Sequence, residues 1–84
     1  MIMILNYPFE LGADIEIEMP AHAKILDVQS VNGGWIMWVL ADLNQPRVKR
    51  KFKGFLTGEQ LKGWDGFRTH IKTVQDVYVW HILE

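Results

Sequence analysis

The sequence predicts an all-β fold: a single compact antiparallel β-sandwich or small barrel of about seven short strands. Three observations lead there. Apolar and polar residues alternate with a period of two along most of the chain, the signature of half-buried strands. Turn-forming residues punctuate this pattern at short intervals. Only one stretch, Glu59 to Lys62, could form even a single helical turn.

Taken in order, the apolar start Met1-Ile2-Met3-Ile4-Leu5 reads as a first strand. It lacks the basic flank and cleavage site of a signal peptide, and Asn6 interrupts it. Ile15, Ile17 and Met19 then alternate with Asp14, Glu16 and Glu18, giving a strand with an acidic outer face that stops at Pro20. Lys24 to Val31 follows, with Leu26 and Val28 assigned to one face and Ile25 to the other. Asn32-Gly33-Gly34 signals a hairpin, because tight hairpin turns need positive φ. Trp35 to Leu40 is apolar on both faces, as expected of a strand central in a core or at an interface.

Asp42 to Pro46 is a polar turn, and Arg47 to Phe55 the next strand. Thr57 to Gly66 is a glycine-rich connection. Phe67 to Val74 and Val77 to Leu83 form a closing hairpin around Gln75-Asp76. All of this fits one domain over residues 1–84, since a chain this short holds a single core. No apolar run approaches the roughly 18 residues that a membrane-spanning helix needs.

Composition narrows the chemistry. There is no cysteine, which removes disulfides and thiolate metal sites and points to the cytoplasm. The three histidines, His22, His70 and His81, lack ligand spacing, so neither a metal nor another cofactor is expected. His70 and His81 could face each other across the terminal hairpin. No nucleophile is accompanied by a recognisable base and orienting group, so the chain does not read as an enzyme. A small domain without disulfides or metal gains stability from a partner subunit, and a homo-oligomer, most simply a dimer, is the expectation.

Net charge is only −1, so attraction to polyanions would have to come from local clustering. Arg47, Lys49, Lys51 and Lys53 provide a cluster, sharing one strand face opposite Val48 and Phe52. This stripe is the candidate site for a phosphate-bearing ligand, with Arg50 or Arg68 adjoining it. Two plainer readings compete with it: a solvated outer strand guarded by lysines, and a stripe neutralised by Asp14, Glu16 and Glu18 on a neighbouring strand. Of the four tryptophans most belong to the core, whereas Trp64 is the candidate for stacking or protein contact.

Tyr7-Pro8, Met19 to Val28, Met37 to Asp42, Thr57-Gly58 and Val79 to Glu84 together resemble a family of small bacteriophage and prophage proteins described only as a domain of unknown function. The resemblance runs nearly end to end. The family carries glycine where His22 and Leu56 stand and phenylalanine where Leu83 stands. It implies phage origin and no assigned activity. The reading that follows is a non-catalytic binding protein acting on a host process, such as counter-defence by blocking a defence protein or sequestering an anionic nucleotide signal. A single-stranded nucleic-acid-binding barrel and a virion or assembly accessory are the alternatives.

Overall fold

The computed structural model describes residues 1–12, 14–61, 66–67 and 69–84. Seven strands account for most of them: β1 (Ile2–Phe9), β2 (Ile15–Pro20), β3 (Lys24–Val31), β4 (Gly34–Asp42), β5 (Arg47–Leu56), β6 (His70–Gln75) and β7 (Val79–Leu83). They form a three-stranded sheet of order β1-β4-β3 and a four-stranded sheet of order β2-β5-β7-β6. Every pairing is antiparallel. The result is a two-layer sandwich and not a closed barrel. Among the described residues there is no helix, including at 59–61, and none long and apolar enough to cross a membrane.

The alternation seen in the sequence places the core between the sheets. Ile15, Ile17 and Met19 point inward from β2, Val28 from β3, Trp35, Met37, Val39 and Ala41 from β4, Phe52 from β5, Val74 from β6 and Ile82 from β7. Leu5, Tyr7, Phe9, Ile25 and Trp80 pack partly buried against them. The Tyr7 hydroxyl is buried and has no hydrogen-bond partner among the described residues. Gly54 lets the sheet backbone approach Leu11 closely, since a Cβ there would stand 2.7 Å from Leu11 Cδ1.

The turns explain the punctuation. Asn32 and Gly33 have φ of 50° and 80°, and Val31 pairs with Gly34 across them. Two positive-φ residues in a two-residue loop match the right-handed strand twist. Leu56 to Glu59 is a tight turn closed by Glu59 N–H to Leu56 C=O at 3.0 Å, with Gly58 at φ 82°. Pro20 to Ala23 repeats this arrangement with His22 at φ 65° in the third position, where the left-handed region favours glycine.

One face assignment needs correction. Ile25 and Val28 both face inward, opposite Val39 and Met37, and Leu26 is 44% exposed. The register shifts between Ile25 and Asp27. A bulge at Leu26 adds one residue and reverses the phase of alternation, which a strict period of two cannot anticipate. Beyond it, Asp27 meets Lys72 of β6 at 2.9 Å, tying the two sheets along one side. That bond, with the Gln29 amide and the Val28 N–H, holds the Asp27 carboxyl below its usual range despite some desolvation. The closing hairpin is also shorter than the sequence suggests, with β6 starting at His70 and β7 at Val79.

Candidate functional site

The basic stripe runs along the outer face of β5, and its neighbour is the acidic face of β2. In the β2–β5 register Glu16 lies opposite Lys51, and Glu18 opposite Lys49. The contacts run diagonally: Lys49 Nζ stands 3.7 Å from Glu16 Oε1, and Arg47 Nε 3.7 Å from Glu18 Oε1. All four side chains are about half exposed or more, so each pair is weak and screened by salt. Two of the stripe's four cations thus stand beside a carboxylate. Lys53 leans over the Phe55 ring, with its ammonium 5.6 Å from the centroid. Lys51 is exposed and makes no ion pair among the described residues.

Arg50 points the other way, because it alternates with Lys49 and Lys51. Its guanidinium grips the Glu84 carboxylate with Nε and Nη2, each contact 2.5 Å. Nη1 donates to the Ala23 carbonyl at 2.5 Å and lies 3.6 Å from the Met19 sulfur. The plane also sits over Phe52, 5.8 Å from the ring centroid. Every donor direction of the fork but one is thus directed at the protein itself. Arg68 and Trp64, the other two residues singled out in the sequence, lie outside the described residues.

A second polar group occupies the outer face of the four-stranded sheet. Thr73 lies opposite His81 across the β6–β7 pair. His81 Nε2 is 2.7 Å from Thr57 Oγ1, and its Nδ1 is 3.0 Å from Thr73 Oγ1. Thr73 Oγ1 is also 2.8 Å from His70 Nε2. The histidines do meet across the hairpin, with ring centroids 6.5 Å apart. Both hydroxyls can donate or accept, so the row Thr57, His81, Thr73, His70 is a continuous path for redirecting hydrogen bonds. No carboxylate takes part in these contacts. Among the described residues no three metal-ligating side chains come together. Thr57 and Thr73 carried no signal of this role in the sequence, since the row depends on strand pairing.

Among the described residues, large apolar side chains also stand exposed at both ends of the sandwich. At one end of the sandwich, the β6–β7 turn exposes Val77 (83%) and Tyr78 (62%). At the other, Ile2 (70%) and Ile4 (63%) stand exposed on β1, beside the half-exposed Leu40 of β4. A broad open depression of about 560 Å³ along β1 is lined by Ile4, Tyr7, Trp38, Leu43 and Arg47 among others. Trp38 faces this outer side, whereas Trp35 is buried and Trp80 packs on the core.

No curated protein and no solved structure is significantly similar to the chain. A family model does match it from end to end, over residues 1–84. The chain therefore belongs to the family described as domain of unknown function DUF7352.

Proposed function

We propose that the chain is a non-catalytic binding protein that acts on a host process by contacting a host protein. The resemblance to phage and prophage proteins makes phage origin part of this reading, and blocking a defence protein is its most concrete form. The observation that carries it is the β6–β7 turn. Turn positions favour Gly, Asn and Asp, yet Asp76 is followed here by Val77 and Tyr78, exposed by 83% and 62%. The turn is held in shape by Asp76 N–H to Tyr78 C=O at 2.8 Å and by Thr57 N–H to Val79 C=O at 3.4 Å. An aromatic on a pre-ordered turn loses little entropy on binding, which suits a contact residue.

The stripe supports the alternative of an anionic ligand less well. Two of its cations face carboxylates already, and Arg50 is occupied by Glu84. Among the described residues no acid orients the histidine–threonine row, which does not favour catalysis.

Tagged protein used as bait in a bacterial lysate tests the reading. Wild type should retain a defined partner, and Val77→Asp with Tyr78→Ala should lose it while keeping the far-UV spectrum. Retention of the same partner by the variant would refute the assignment of the turn. Calorimetric heat with nucleotides, abolished by Lys49→Glu with Lys51→Glu, would instead establish the anionic-ligand reading.

A further inference from the structure

We propose that β1 is a self-pairing edge: two copies of the chain join through antiparallel β1–β1 pairing into one continuous six-stranded sheet. The inference is independent of which host partner the turn engages.

Its first support is the contrast between β1 and the other three free strands. An open sheet edge invites pairing, and proteins guard such edges with charge, proline, bulges or short length. β2 is six residues long, carries Glu16 and Glu18 and ends in Pro20. β3 is bulged at Leu26 and carries Lys24 and Asp27. β6 is six residues long with a register shift between His70 and Lys72. β1 has eight residues, no bulge and no charged side chain from Ile2 to Phe9. Two copies meeting here bring no like charges together.

The second support is the direction of the backbone groups. Leu43 N–H donates to Met1 C=O at 2.8 Å, extending the β1–β4 register in which Ile2 faces Asp42. Hydrogen-bonded and open positions alternate in an antiparallel pair. The odd residues of β1 are therefore bound to β4, and Ile2, Ile4, Asn6 and Pro8 aim their backbone groups at the free edge. Pro8 agrees with this phase, since proline is tolerated where no ladder N–H is needed.

These positions fix a register. With Ile4 facing the partner's Ile4 on the twofold axis, Ile2 faces the partner's Asn6. Each free N–H of residues 2, 4 and 6 then finds a carbonyl, and Pro8 stays beyond the ladder. On the inner face Met3, 42% exposed in the single chain, covers the partner's Leu5. On the outer face the two Ile4 side chains join the Leu40–Trp38 surface into one apolar strip.

Light scattering tests this. Wild type should show twice the chain mass of 9.8 kDa at tens of micromolar. Ile4→Pro removes an N–H that β4 does not use, so it should be a folded monomer with an unchanged far-UV spectrum. A wild-type monomer at that concentration, or a folded Ile4→Pro dimer, overturns the proposal. Should Ile4→Pro fail to fold, cysteine insertion decides, because the chain has no cysteine of its own. Ile4→Cys should crosslink to its copy under mild oxidation at least tenfold faster than Val77→Cys. Equal rates for the two overturn it.

Discussion

Removing the Arg50 guanidinium should be the most damaging single change outside the apolar core. Its side chain is 21% exposed and that of Glu84 25%, so the pair lies between two known regimes. Exposed ion pairs contribute about 0.2–1 kcal/mol. Breaking a fully buried pair costs about 3–5 kcal/mol. Glu84→Ala leaves Arg50 its Ala23 carbonyl and its place over Phe52, and should cost about 1–2 kcal/mol. Arg50→Ala also strips the carbonyl of its donor and uncovers Met19 and Phe52, so about 2–3 kcal/mol is expected. For a chain of this size that corresponds to a fall of roughly 10–20 °C in Tm.

Urea melts of wild type, both single variants and the double variant give the coupling directly. The cycle should return about 1–2 kcal/mol with an unchanged dependence on denaturant. Arg50→Lys should recover only part of the loss, because an ammonium cannot bind both carboxylate oxygens in a fixed fork. An Arg50→Ala variant within about 0.5 kcal/mol of wild type would refute the reasoning, showing that the fork behaves like a surface pair.

Three further changes test separate features. His22→Gly relieves a left-handed residue, worth about 1–2 kcal/mol, against roughly 0.5–1 kcal/mol of added chain entropy, so stability should rise by about 0.5–1 kcal/mol in urea melts. Tyr7→Phe removes a buried hydroxyl that has no partner among the described residues and should be neutral or stabilising by about 1 kcal/mol, where a loss of that size would show that the hydroxyl is satisfied. The Asp27 pKa is lowered on folding, chiefly by Lys72, so its contribution is present above the unfolded value near 3.9 and lost as pH falls through the lowered one. Asp27→Asn should therefore cost under about 1 kcal/mol at neutral pH, with the gap in Tm closing below about pH 4.

The parts of the fold legible in the sequence are those governed by local rules. Ile15, Ile17 and Met19 alternate strictly with acids, and the strand lies where they place it. Asn32-Gly33 requires positive φ and has it. The phase of β3 is not legible, because the bulge at Leu26 shows only in the pairing with β4, where the register shifts between Ile25 and Asp27. The choice between sandwich and barrel was open for a similar reason. Edge closure depends on which strands become neighbours, and β3 meets β6 through Asp27 and Lys72, 45 positions apart in the chain, with a side-chain contact and not a ladder.

The candidate site divides along the same line. That Arg47, Lys49, Lys51 and Lys53 share a face follows from period two alone. Whether the face is free depends on the neighbouring strand, and the register brings Glu16 and Glu18 alongside it. Arg50 reads in the sequence as a helper of that stripe, but in the structure it turns to the other side of the strand and grips Glu84. A guanidinium turned toward an apolar interior must find an acid, yet nothing local points to Glu84, whose place is set by β5–β7 pairing. The same pairing brings Thr57 to His81. The β1 edge is the converse case. Its lack of charge is plain in the first nine residues, but the lack means something only once β1 is known to be an edge and its even positions to face away from β4.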